Sequence, residues 1–231
     1  MAESVKERIA KIRTLAKAPL VDDEEVKRVE IIMLKFKESP EVIDKALHRI
    51  NHHTKHPYKL TIFDNRLNPP NTSKIWNKLI RESTCRYICI IDSDAFVPPN
   101  LKPCWLSRMM ESIDETGFVI PVSSTGGGQN QHKNGPLPYP ATAINKAPWS
   151  GFCFLFDREG EWKNTGSFDE RFYIYGQDSE FAVRVGEHGG AVMRLDVWVE
   201  HIGGWSFKQD PIRVDDKLYA RKLFAYLTRK K

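Results

Sequence analysis

Apolar, β-branched residues run through VEIIMLKF at 29 to 36, recur from Tyr58 to Phe63, and recur again from Tyr87 to Ile91. Each run has the length of a buried strand. The polar stretches between them carry helix signals. Ser39-Pro40-Glu41 reads as a helix start with proline in the first turn, running to about His52, and Asn71 with Thr72 and Ser73 opens a second segment through Arg81. Three strand-then-helix units of this length predict a mainly parallel sheet with helices on both faces, since parallel neighbours need crossover connections. Ligands of such sheets bind beyond the carboxyl ends of the strands.

Upstream, Val5, Ile9, Ile12, Leu15 and Ala16 fall at helical spacing, so residues 3 to 17 predict an amphipathic brace. Downstream come a helix near 103 to 115 and a short strand at Phe118 to Val122. Residues 123 to 148 then lose both apolar periods and fill with Gly and Pro, which predicts a long loop of the kind used as a lid or binding segment. The second half resumes with a strand in SGFCFLF, a helix after Asp178 ending near Gly189, a strand ending in WVEHIGG, and a basic amphipathic helix over about 213 to 231. No repeat or linker splits the chain, so a single α/β domain over 1–231 is expected.

Composition adds limits. The 231 residues are 41% hydrophobic and 28% charged, a globular balance. The 35 Lys+Arg against 30 Asp+Glu give +5, which permits an anionic partner without requiring one. No apolar run approaches the roughly 20 residues that span a bilayer, and the N-terminus alternates charged with apolar residues. A cytoplasmic protein is expected. Cys85, Cys89, Cys104 and Cys153 form no C-x-x-C pair and read as reduced core thiols.

The sharpest chemistry sits where the third strand stops. Asp92 and Asp94 flank Ser93 there, and two close carboxylates repel unless a cation joins them. Mg²⁺ or Mn²⁺ with oxygen ligands is the natural partner; the plainer alternative is a solvated turn in which these side chains bond nearby backbone.

The run YICIIDSDAFVPP resembles the D-x-D strand of family 2 glycosyltransferases, which have the GT-A fold, and Tyr58 to Asp64 followed by Asn77 resembles the strand and helix before it. Further along, Gly151, Gly166, Phe168-Asp169-Glu170, Gln177-Asp178-Ser179-Glu180, Arg184 and His201 follow the order of that family's acceptor-side signature. The likeness extends over roughly 29 to 207. Gln177 and Glu180 depart from the usual Glu and Asp, and the first strand lacks the customary Pro and Asn.

The resemblance implies a GT-A, Rossmann-like mixed sheet and metal-dependent transfer of a sugar from a nucleotide-diphosphate donor. Asp64 would then contact the base or ribose; Asp92, Ser93 and Asp94 would line the donor site; and Asp92, Asp94 and His201 would hold Mn²⁺ or Mg²⁺. Asp178 is the implied general base, giving single displacement with inversion, though it equally suits a helix first turn. Trp149, Gly151 and Glu180 fall on the acceptor side, with Trp149 either stacking on a sugar or packing in the core. Arg184 pairs with an acid or approaches phosphate. The acceptor stays open among a glycan, a lipid-linked saccharide, a protein side chain and a modified DNA base. The terminal basic helix admits peripheral membrane or nucleic-acid contact, or simply covers a domain face. Two rivals are a nucleotidyltransferase, disfavoured by the absence of glycine from MLKFKESPE, and a non-catalytic nucleotide-sugar or nucleic-acid binding module.

Overall fold

The computed structural model describes residues 27–36, 38–65, 71–125, 131–203 and 212–229. The expected helix at 3–17 lies outside them. The first half reads β1 (Val29–Lys35), α1 (Pro40–His53), β2 (Tyr58–Asp64), α2 (Thr72–Glu82), β3 (Tyr87–Asp92), β4 (Ala95–Phe96), α3 (Trp105–Met110), α4 (Ile113–Thr116) and β5 (Phe118–Val122). The second half reads β6 (Thr142–Asn145), β7 (Cys153–Asp157), α5 (Glu161–Thr165), α6 (Gln177–Glu187), β8 (Ala191–Trp198), β9 (Glu200–His201) and α7 (Ile212–Arg229).

Seven strands form one sheet in the order β2-β1-β3-β7-β5-β8-β6, and β4 and β9 form a separate pair. β1 runs parallel to β2 and to β3, and β5 runs parallel to β8, whereas β7 and β6 are antiparallel to their neighbours. The expected mixed, mainly parallel sheet flanked by helices is therefore what the chain builds.

Strand alternation explains the two cores. Val29, Ile31 and Met33 of β1 and Cys89 and Ile91 of β3 face one way, onto Ala46 and Ile50 of α1 and Trp105 and Met109 of α3. Ile32, Ile88 and Ile90 face the other way, onto Trp76 and Ile80 of α2, Trp162 of α5 and Phe181 and Val185 of α6. Both faces are covered, so the strands are apolar almost throughout. The four described cysteines are free thiols.

Two readings of the pattern change. The helix expected near 103 to 115 is two short pieces. Between them Glu111 and Ser112 turn their side chains to Arg194 of β8, at 3.3 and 3.2 Å. The long loop at 123 to 148 contains β6, an edge strand antiparallel to β8. Its Ile144 is exposed and only the small Ala143 packs toward the core, so no apolar period marks it.

Candidate functional site

The carboxyl ends of β1 and β3 open onto a cavity of about 270 Å³. Asp92 is the last residue of β3, and the chain then turns through Ser93 and Asp94 into β4. β4 pairs antiparallel with β9, placing Ala95 opposite His201, and the amide of Ile202 donates to the Asp94 carbonyl at 3.2 Å. This short ribbon is what brings His201 to the two acids across a long stretch of sequence. His201 Nε2 lies 3.3 Å from Asp94 Oδ1 and 3.8 Å from Asp92 Oδ2. Its ring stacks on Phe152, centroids 4.9 Å apart, and the Thr125 hydroxyl donates to its carbonyl.

One ligand atom from each of Asp92, Asp94 and His201 lies within 4.8 Å of the others. Two carboxylates and an imidazole fit a divalent first-row cation such as Mn²⁺, and Mg²⁺ less well because of the nitrogen donor. The electrostatics agree with an ion-binding set. Asp92 is pushed up to about 8, first by its recessed position and then by Asp94, with His201 opposing. Its side chain keeps 41% exposure, so that recess is an open cleft and not a sealed interior. Burial works against protonation of His201, but the hydrogen bond and charge of Asp94, with Asp92 behind it, outweigh burial and raise its pKa above the ordinary imidazole value.

Asp178 reaches the same cavity from the first turn of α6. The helix begins at Gly176, in the left-handed region at φ 81° and packed so tightly that a Cβ would meet the Phe172 ring at 3.0 Å. The Gly151 amide donates to Asp178 Oδ2 at 2.9 Å, and the Ser179 amide to Oδ1 at 2.8 Å. A carboxylate has roughly four lone-pair sites, so both oxygens retain accepting capacity.

Of the residues singled out in the sequence, Asp92, Ser93, Asp94, Gly151, Asp178 and His201 line this cavity. Three do not. Asp64 is exposed at the end of β2; alternation turns its neighbour Asn65 inward instead, where it is buried and lines the cavity. Trp149 is a core residue, packed on Phe154 and Phe181 with centroids 5.0 and 6.4 Å away. Glu180 binds Arg184 through two contacts of 2.7 Å, and Arg184 also donates to the Thr165 carbonyl at 2.6 Å. That pair is a structural clamp on α6.

Sequence reasoning missed Asn65 and Trp76. Both line the cavity, and Asn65 Oδ1, Trp76 Nε1 and Gln177 Oε1 are buried there without a hydrogen-bond partner in the protein. An unpaired buried polar group costs about 1–3 kcal/mol, and three of the residues around this cavity carry one. Strand parity at the end of β2 was the available signal for Asn65; nothing in the sequence marked Trp76.

No protein-family model and no curated protein sequence matches the chain. Solved structures do. The crystal structure of GalNAc-T7 with UDP, GalNAc and Mn²⁺ superposes with a TM-score of 0.59 at 14% identity, over 77% of this chain and 45% of that one. The chain thus spans less than half the length of that protein, and a likeness at this identity establishes the fold, which is GT-A. No described helix is long and apolar enough to cross a membrane.

Proposed function

We propose that the chain is a divalent-cation-dependent glycosyltransferase that moves a sugar from a nucleoside diphosphate to an acceptor hydroxyl. One observation carries this reading: Asp92, Asp94, His201 and Asp178 meet in a single cavity at the carboxyl ends of β1 and β3 of a GT-A sheet. Asp92, Asp94 and His201 would hold Mn²⁺. When bound, that ion supplies positive charge where the leaving diphosphate becomes more negative. The fold relative's UDP and Mn²⁺ make a uridine nucleotide the first donor to test.

The protein's own groups do the remainder. Asn65 Oδ1 and Gln177 Oε1 accept from donor N–H or O–H groups, and Trp76 Nε1 donates to a carbonyl or hydroxyl, so base and ribose replace the partners these buried atoms lack. Asp178 takes the proton of the attacking hydroxyl on its carboxylate. Among the other lining carboxylates, Asp92 and Asp94 belong to the cation set and Glu38 accepts from the Phe36 amide at 2.9 Å. A single base supports one displacement with inversion, and the order of motifs from Asp92 to His201 supports a place near family 2.

The test is thermal shift across nucleotide sugars with and without Mn²⁺, followed by donor hydrolysis, because a ligand of the folded state raises its stability. Mn²⁺-dependent stabilisation is expected for the wild type and lost in Asp94→Ala. Asp178→Asn is expected to bind donor and stop transfer. Failure of every nucleotide sugar to stabilise the Mn²⁺-loaded protein sinks the reading; binding without turnover leaves a binding module. NMR of the product anomer decides inversion separately.

A further inference from the structure

Beside the cavity holding Asp178 is a second one of about 900 Å³, and Ser150, Tyr175, Asp178 and His201 line both. The far wall of the larger cavity is α7, which contributes Lys217, Ala220, Arg221 and Phe224. Asp216 fixes that helix: its Oδ2 accepts from the amides of Ile174 and Tyr175 at 3.1 and 3.2 Å, just ahead of Gly176 and α6. Lys217 Nζ lies 5.9 Å from the Tyr175 ring centroid. The chamber therefore has a carboxylate on the floor it shares with the first cavity, two cations one helical turn apart on its wall, and the rings of Tyr175 and Phe224 beside them.

We propose that this chamber takes the acceptor, and that the acceptor is a nucleotide unit of a nucleic-acid strand. Its backbone phosphate sits on Lys217 and Arg221, its base lies against Tyr175 and Phe224, and a hydroxyl it carries faces Asp178. The inference rests on the glycosyltransferase reading above. In the transfer, the hydroxyl oxygen bonds to the anomeric carbon as that carbon's bond to the diphosphate oxygen breaks. The electron pair leaves with the nucleoside diphosphate, and the hydroxyl proton passes to the Asp178 carboxylate.

Charge complementarity selects this occupant. A helix that lies on a bilayer separates an apolar face from a basic one, but α7 mixes the two on both sides. Lys217 and Arg221 accompany Phe224 inside the chamber, while Lys222 accompanies the exposed Leu218, Tyr219 and Tyr226 outside it. Aromatic rings interleaved with cations are how proteins hold single strands, stacking on bases and neutralising phosphates.

The experiment is fluorescence anisotropy of a labelled single-stranded oligodeoxynucleotide of about 16 nucleotides, with phosphatidylglycerol vesicles as a parallel arm. Two phosphate contacts at about 0.7 each predict a slope of log K against log salt of about −1.4 or steeper in the wild type. Arg221→Glu and Lys217→Gln are each expected to weaken binding by about tenfold or more, and Lys222→Glu, outside the chamber, by less than about threefold. A flat salt slope, an equal loss from Lys222→Glu, or binding to vesicles in place of the oligonucleotide overturns the proposal. UDP binding with Mn²⁺ is measured on the same wild-type sample. If UDP binds and the oligonucleotide does not, this inference fails and the transferase reading stands. If the strand binds and no nucleotide sugar does, the transferase reading fails and takes the acceptor role with it.

Discussion

Gly151 and Asp178 touch: the Gly151 amide donates to Asp178 Oδ2 at 2.9 Å, and a Cβ at residue 151 would stand 2.7 Å from Asp178 Cβ. A glycine just ahead of β7 thus sets how closely α6 approaches the sheet, and with it where the proposed base sits. Gly151→Ala must push Asp178 outward, since Cβ atoms do not approach within 3.0 Å. A displacement approaching 1 Å of a positioned group costs about 10²-fold in rate. The expected result is a loss of that order in transfer or donor hydrolysis at saturating donor. Wild-type turnover in Gly151→Ala would mean that the position of Asp178 does not matter.

The β4–β9 ribbon makes a second prediction. His201 is brought to Asp94 where Ala95 pairs with His201 and the Ile202 amide bonds the Asp94 carbonyl. Even loss of a group that merely supports a ligand costs about 10–100-fold in metal affinity, so His201→Ala and Asp94→Asn should each weaken Mn²⁺ binding by at least that much in an electron paramagnetic resonance titration. Unchanged affinity in His201→Ala would reduce the centre to its two acids.

How Mn²⁺ stabilisation varies with pH follows from the two perturbed groups. Asp92, at about 8, and His201, raised above its usual value, both bind protons more tightly folded than unfolded. With νN above νU, the ion-free protein loses stability as pH rises through these values. A cation competes with the same protons, so its affinity rises with pH until Asp92 is ionised. The melting-temperature gap between Mn²⁺-loaded and chelator-treated protein should widen from about pH 6 to about pH 8.5, and Asp92→Asn should remove most of the widening. A constant gap would show that protons and ion do not share the site.

Much of this site was legible in the sequence because strand ends and helix starts leave marks. Apolar runs located β1, β2, β3, β5 and β7, and an abrupt stop in Asp92-Ser93-Asp94 placed the acids at a carboxyl end. His201 and Asp178 came from motif order, since no local pattern reveals that β9 folds back on β4. Asp64 ends β2 on the exposed side, and by strand parity its neighbour Asn65 is the residue that lines the cavity. Trp149 takes the second of its two readings, its ring filling the core between Phe154 and Phe181. Chamber walls escaped notice for a different reason. Lys217, Arg221 and Phe224 look like any basic amphipathic helix until Asp216 ties α7 beside α6.

The last prediction concerns what holds β8, and hence β9 and His201, in place. Asp196 lies wholly buried on β8 between two guanidinium groups: Arg194 binds it bidentately at 2.9 and 2.8 Å, and Arg108 of α3 donates to its Oδ2 at 3.3 Å. Both arginines are buried as well, and Tyr139 covers Arg108, its centroid 4.3 Å from the guanidinium carbon. Removing Asp196 leaves the partly exposed Glu111 as the carboxylate on Arg194, at 3.3 Å, and takes from the buried Arg108 the carboxylate it shares with Arg194. Breaking such a buried set costs about 3–5 kcal/mol, which for a chain of this size is about 6–20 °C in melting temperature. Asp196→Ala should therefore melt far earlier than the wild type. Because β8 runs on through Val199 to His201, Mn²⁺ should also recover less of the loss than simple ligand linkage allows. If Asp196→Ala melted within a degree or two of the wild type, the ion cluster would be a passenger on β8 and the placement of His201 would have to come from the β4–β9 pairing alone.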